Sequence, residues 1–266
     1  AASDVYKRQL LTKVSTQLKN YYNMATPKEE APVLVAFTID FETGGLKCQT
    51  SACTQIAIHA TRLDTFEKIG TYQSYIAPYN RKEIAGATKK RKVLKSKYDD
   101  EDEISMDYEQ KALEYSAITM DMLESYGKPI ETVAQEVIQF MQDNTPKCPR
   151  NMKPFLIGQH IAFDEGFLCQ MMEYAGLMGE LKKVLRGDED FYGHWHPLYV
   201  DTITLGQLAL CHLPNVNSYK LEIMCENLGI DLDDAHDADA DVSATTNVAA
   251  VLTQRMRSVG GEYDGE

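Results

Sequence analysis

The most apolar stretch of the chain, Val33-Leu34-Val35-Ala36-Phe37-Thr38-Ile39, shows no alternation, the pattern of a strand covered on both faces. Two further strand patterns follow at 55–63 and 68–76. The short polar step at Asp64-Thr65 between them predicts an antiparallel hairpin. The period then lengthens. Val133, Val137, Ile138 and Met141 share one face of a helix predicted over 130–141, with Pro129 suited to its first turn. Phe155-Leu156-Ile157 reads as a short buried strand, 163–174 as a helix and Tyr199-Val200 as a last strand. Helices are predicted over 203–211, 221–228 and 242–256. A hairpin first, with strands alternating with helices afterwards, predicts an α/β domain on a mixed sheet.

Upstream of the apolar strand the pattern is weaker. Leu10, Leu11, Val14, Leu18, Tyr21 and Tyr22 have the spacing of a short accessory helix, and residues 27–32 read as a linker. Residues 4–9 read as the in-frame translation of a sequencing adapter and are kept out of the fold reasoning. The expected organisation is an extension over 1–30, a domain over 31–257 and a flexible tail over 258–266. A charged insertion at about 81–107 interrupts the domain. There Lys89-Lys90-Arg91-Lys92 runs into Asp99-Asp100-Glu101-Asp102-Glu103, a solvated segment whose opposite charges pair locally. The sharper alternative is a basic arm on a phosphate backbone.

Composition narrows the class. With 44% hydrophobic and 25% charged residues over 266 positions, disordered and fibrous architectures are excluded, and the core needs no staple. No apolar run approaches the ~20 residues of a bilayer-spanning helix, so no membrane partner is expected. The six cysteines lack CxxC spacing and read as reduced, mostly buried thiols of a cytoplasmic protein. A net charge of −13 argues against gripping nucleic acid by charge alone, though not against meeting it through bound cations.

Three clusters carry candidate chemistry. Asp40 and Glu42 close the apolar strand, and at i and i+2 their side chains leave the same face, where they repel unless a cation sits between them. In Gly158-Gln159-His160-Ile161-Ala162-Phe163-Asp164 a strand ends and a helix begins, which brings Asp164 into or near the first turn. Helix capping alone would explain that acid. The third is His236-Asp237-Ala238-Asp239-Ala240-Asp241. If both were helical, His236 and Asp241 would lie about 140° apart, so they converge only with His236 on the loop and Asp241 in the helix, Asp237 or Asp239 serving as cap. Two weaker patterns read as bland: His194 and His196 in a polar loop without acid partners, and Gln207-Leu208-Ala209-Leu210 as ordinary helical spacing.

In that order the three clusters resemble the DEDD exonuclease superfamily, in its His-containing branch with the ribonuclease H-like fold. Relatives in that branch include the proofreading epsilon subunit, ribonuclease T and oligoribonuclease. The resemblance covers roughly residues 33–252, with support from Ala112-Leu113, Ile118-Thr119, Asp201-Thr202 and residues 221–230. It implies a mixed sheet of an antiparallel hairpin plus parallel strands, flanked by helices. Two divalent ions, Mg²⁺ or Mn²⁺, would be held by Asp40, Glu42, Asp164 and Asp241, with His236 as general base. Thr43, Gly44, Gly45 and Leu46 would embrace the 3′-terminal nucleotide, with Leu46 a wedge or else a core residue, and Phe163 core. Gly44 stands where the family often has Thr, and His160 where it often has Asn, so His160 receives no role.

The activity implied is 3′→5′ hydrolysis of single-stranded nucleic acid to nucleoside 5′-monophosphates, with DNA first, in proofreading or repair, and RNA second. A DNA polymerase is a further implied partner. The alternative from another class is a catalytically silent binding module associated with a polymerase.

Overall fold

The computed structural model describes residues 33–82, 104–147, 152–214, 216–232 and 237–258. The predicted accessory helix, the Lys89–Lys92 run, Cys148, the tail and His236 lie outside the described residues.

Strand β1 (Val35–Thr43) is the middle of a five-stranded sheet of order β3-β2-β1-β4-β7. It pairs antiparallel with β2 (Cys53–Arg62), which pairs antiparallel with β3 (Lys68–Tyr75). On its other side it runs parallel to β4 (Phe155–Gly158), and β4 runs parallel to β7 (Tyr199–Asp201). The hairpin and the parallel strands are those of the predicted mixed sheet. β1 runs further than its apolar pattern because the β2 ladder continues to Thr43 opposite Cys53. Asp40 and Glu42 therefore sit within the strand rather than after it.

The missing alternation has a direct cause, since helices cover both faces. Phe37, Ile39 and Phe41 face a core built with α3 (Ile130–Asp143), α4 (Ala162–Ala175) and α5 (Met178–Val184). The opposite face carries Ala36, Thr38, Asp40 and Glu42, by strand alternation. Over it lies α8 (Ala238–Ser258), whose Ala249 packs with Ala36 and whose Thr246 hydroxyl is 2.9 Å from that of Thr38. Helices α6 (Thr202–Leu210) and α7 (Leu221–Leu228) close a second core against Val248 and Leu252 of α8.

Five elements escaped the pattern, the seven-residue α5 among them. Helices α1 (Gln110–Tyr115) and α2 (Met120–Tyr126) bury between them only Leu123, so they leave almost no apolar stripe. Strands β5 (Gly187–Glu189) and β6 (Trp195–Pro197) form a three-residue ribbon where a polar loop was expected. The thiol expectation is corrected in part: of the five described cysteines, all free, Cys53 and Cys225 are buried, Cys48 and Cys169 are half-buried, and Cys211 is exposed.

Phe167 of α4 links this core to the acidic strand. It is fully buried, with ring centroids 6.4 Å from Phe41 and 4.9 Å from Phe163. Truncation to Phe167→Ala should cost ~3–5 kcal/mol, read as a lower midpoint in chemical denaturation at unchanged slope.

Candidate active site

Strand alternation sends Asp40 and Glu42 out of the same face, and α8 delivers Asp241 to them. Each of the three half-buried carboxylates offers an oxygen within 4.8 Å of the other two. Asp164 arrives from the other side of β1. β4 accompanies β1 only over Ala36–Thr38, so beyond that point β1 has no strand partner on this flank. The turn after β4 starts α4, and Asp164 in its first turn accepts the Phe41 N–H at 3.0 Å. A buried N–H needs an acceptor, and here a carboxylate replaces the missing strand. Asp164 is only 3% exposed, so helix capping is not its whole role.

Electrostatics mark the group as incomplete without a cation. Burial, then the charges of Asp241 and Asp237, push the Asp40 carboxyl up to about 7. Burial, then Asp40, Asp241 and Asp237, push Glu42 up to about 8. Asp164 is raised as well, by burial and then by Asp40, against the lowering effect of the Phe41 N–H. Clustered oxygen ligands whose ionisation is opposed by one another fit a hard divalent cation.

The acids line a cleft of about 900 Å³. Thr43, Gly45 and Leu46 line it too, together with Phe163, Gln159 and His160. Leu46 is 82% exposed, which excludes the core alternative for it. Phe163 is corrected the other way, since it is half-buried with one side on Phe167 and the other on the cleft. Gly44 is absent from the lining. A Cβ there would lie 2.4 Å from the Asp107 carbonyl oxygen, so the Thr of the family pattern does not fit. Thr43 is buried and its hydroxyl donates to the Gly45 carbonyl at 2.8 Å, which shapes the turn.

Sequence reasoning missed several lining residues. Lys111 and Tyr115 face the cleft one helical turn apart on α1, and Tyr219 and Lys220 come from the segment before α7. Their signal was faint: two short helices with little apolar patterning, although Ala112-Leu113 lay among the supporting stretches. His160 has φ 56°, and its N–H donates to Asp201 Oδ1 at 3.2 Å. The same Asp201 oxygen accepts the Ile203 N–H at 2.9 Å and so caps α6.

One reading needs correcting. His194 and His196 do have acid partners, with His196 Nδ1 2.9 Å from Glu165 Oε1 and Asp190 3.6 Å from each ring. The His196–Glu165 contact fastens the β5–β6 ribbon to α4, while Asp190 ties the ribbon to itself. Asp237 holds the expected cap position, its carbonyl accepting the Asp241 N–H at 3.0 Å, while the carboxylates of Asp237 and Asp239 turn to the sheet. Asp237 Oδ1 accepts from Gln55 and from Gln73, each at 3.2 Å, and Asp239 Oδ1 lies 2.8 Å from His59 Nε2. Burial pushes the His59 pKa down against the pull of Asp239, which favours a neutral ring donating through Nε2.

Two outcomes follow. The raised carboxyls bind protons in the folded protein that the unfolded chain has already released, so metal-free stability is whole near pH 4 and is lost as pH climbs to about 8. Chelator-treated protein should melt at falling temperature across that range. Mg²⁺ or Mn²⁺ should restore it at the high end, and Asp40→Asn should flatten the pH dependence. Separately, Gly44→Thr should destabilise the fold by ~1–3 kcal/mol in a denaturant titration, because the Asp107 backbone must move.

Comparisons with known proteins agree with this geometry. The exonuclease family model RNase_T matches residues 101–249, more than half of the chain. E. coli exonuclease I in complex with a dT13 oligonucleotide superimposes with a TM-score of 0.58 at 18% identity, over 85% of this chain and 42% of that chain. The zinc-bound E. coli exonuclease I complex with single-stranded DNA gives 0.57 at 17%, over 85% and 42%. A product-bound exonuclease I gives 0.56 at 16%, over 86% and 45%. The chain thus spans less than half the length of these structures, and the likeness is one of fold. No curated protein matches the sequence. No helix among the described residues is long and apolar enough to cross a membrane. With a family match over more than half of its length, the chain belongs to the RNase_T exonuclease family.

Proposed function

We propose that this chain is a metal-dependent 3′→5′ exonuclease that releases nucleoside 5′-monophosphates from the 3′ ends of single-stranded DNA. The observation that carries the proposal is the meeting of Asp40, Glu42 and Asp241 beside Asp164 on one wall of an open cleft. Those four carboxylates are the residues suited to hold two Mg²⁺ or Mn²⁺ ions. Such ions would supply an activated water and a stabilised leaving oxygen.

The chain's own side chains divide the remaining work. Four carboxylates balance the charge of two divalent ions, so a phosphate can approach despite the net charge of −13. Lys111 and Lys220 on the cleft lining add cationic contacts for the strand. Leu46, Phe163 and Tyr115 offer apolar and aromatic surface against which bases stack irrespective of sequence. His236, five residues before Asp241, is the proposed acceptor of the water proton; its ordinary pKa of about 6.5 suits that near neutral pH.

DNA is preferred because the superimposed exonuclease I structures hold dT13 and dA16 oligonucleotides. Short RNA is the second substrate reading. Single-stranded nucleic acid is the first proposed partner, and a DNA polymerase the second.

The test compares end-labelled single-stranded DNA, duplex DNA and short RNA, with Mg²⁺ and with chelator. Single-stranded DNA should shorten stepwise from its 3′ end in Mg²⁺ only, and Asp164→Ala should abolish this. His236→Ala should lower turnover by ~10²–10⁴-fold while the Mg²⁺-induced melting shift persists. Internal cuts preceding terminal release, or equal rates with chelator, would contradict the proposal.

A further inference from the structure

Helix α4 supplies Phe163 and Asp164 to the cleft from its first turn. Gly166 and Gln170, four residues apart and so on one face of the same helix, meet the turn that follows Leu46. That turn closes on itself, with the Thr50 and Ser51 N–H groups donating to the Lys47 carbonyl at 2.9 and 2.8 Å. Two further carbonyls of the turn look to α4 instead. Those of Cys48 and Ser51 both accept from the Gln170 amide nitrogen, Ser51 at 3.0 Å. Cys48 also lies over Gly166, where a Cβ would stand 3.1 Å from the thiol sulfur and 3.5 Å from the Cys48 Cβ.

The Gln170 amide is fully used. Its Oε1 accepts from the Tyr79 hydroxyl at 2.8 Å and from the Cys53 thiol at 3.6 Å, and the Tyr79 oxygen accepts the Cys53 N–H at 2.7 Å. The side chain is 4% exposed, on a helix whose neighbouring Phe167, Met171 and Met172 are fully buried. An apolar side chain of equal size would fill that part of the core, but it would take the donor from both carbonyls of the turn. Leu46, with most of its side chain in water, gains little hold from packing of its own. Its place follows from where the turn is docked.

We infer that Gln170 and Gly166 are positioning residues for substrate binding, which dock residues 48–51 on α4 and so hold Leu46 at a fixed offset from Asp164. The inference rests on the reading of Leu46 as a surface for the 3′-terminal nucleotide. One rigid element then carries both references. Its first turn presents the acid, and Gly166 and Gln170 hold the turn that presents the apolar surface. The helix between Asp164 and Gln170 spans only ~9 Å, with no joint in it.

The experiment measures KM and kcat on a single-stranded oligonucleotide in Mg²⁺, with the melting temperature alongside. Gln170→Met keeps the volume and removes the donor. Its KM should rise ~5- to 10-fold with kcat within about three-fold, because an apolar contact is made in ground and transition states alike. Leu46→Ala should raise KM by a similar factor. Adding Gln170→Met to Leu46→Ala should then raise KM by no more than about two-fold, since both act through one contact. Gly166→Ala favours the helix, so its melting temperature should hold or rise, yet KM should rise ~2- to 5-fold as the new methyl displaces Cys48. Adding Cys48→Ala should restore it. A full Gln170→Met effect in the Leu46→Ala background overturns the inference, as does an unchanged KM in Gln170→Met while Leu46→Ala is impaired. Should Gln170→Met fail to fold, the Gly166→Ala pair decides alone, and an unchanged KM, or one that Cys48→Ala fails to restore, overturns the inference. A normal KM in Leu46→Ala removes the inference and leaves the exonuclease standing. If the unaltered chain fails to shorten 3′ ends in Mg²⁺, the reading of function falls first and the inference with it.

Discussion

Repulsion among crowded carboxylates is the constraint around which the cleft is organised. Asp40, Glu42 and Asp241 keep oxygens within 4.8 Å of one another, and Asp164 adds a further acid that is nearly sealed from water. Left alone, such a group spreads apart or takes up protons. Here the backbone closes the first escape, and the raised Asp40 and Glu42 carboxyls are the second. Asp40 and Glu42 are fixed by the β1–β2 ladder, Asp164 by the Phe41 N–H, and Asp241 by a helix seated across two strands. The folding energy of the apolar core on the far side of the sheet therefore maintains a high local charge density on this side. That division of labour explains why β1 alternates Phe and Ile with acids at its end.

The same repulsion reconciles an acidic protein with an anionic substrate. Protein-wide charge falls off within about 10 Å at moderate salt, whereas groups lining the cleft act at contact distance. On the proposed function, a strand would meet there the carboxylate group in its cation-bound form, the ammonium groups of Lys111 and Lys220, and an apolar rim at Leu46, Phe163 and Tyr115. Affinity in such a cleft depends on bound cations and stacking more than on a basic surface.

Much of this was legible in the sequence, for identifiable reasons. β1, β2, β4 and helices α3, α4, α6, α7 and α8 came from patterns of residues that they bury, while β3 and β7 were read from β-prone residues although β3 buries only Ser74 and β7 buries none. The i, i+2 spacing of Asp40 and Glu42 gave their shared direction outright. Elements that bury little left no such trace: α1, α2 and the β5–β6 ribbon were invisible, and with them Lys111, Tyr115 and the acid partners of His196. Gly44 shows a different blind spot. Its surroundings come from Asp107, distant in sequence, so only the packed structure explains why Thr is unsuitable there. The alignment of Gln55, Ala57 and His59 beneath residues 237–239 depends on strand register against a helix, a relation that no single segment encodes.

That register also clarifies how the family pattern is divided along the chain. The matched span, 101–249, contains Asp164 and Asp241, while Asp40 and Glu42 lie well before it. Joining the two parts requires β1 at the centre of the sheet, with β2 on one side and β4 on the other. Central placement gives β1 two flanks with different tasks. The β4 side ends early and leaves an N–H for Asp164, while the β2 side runs on to Thr43 and carries Gln55 and His59 under α8. A β1 at the sheet's edge could supply the acidic pair but not both flanks. The unequal lengths of its neighbours are therefore what turn a buried strand into the wall of a cleft.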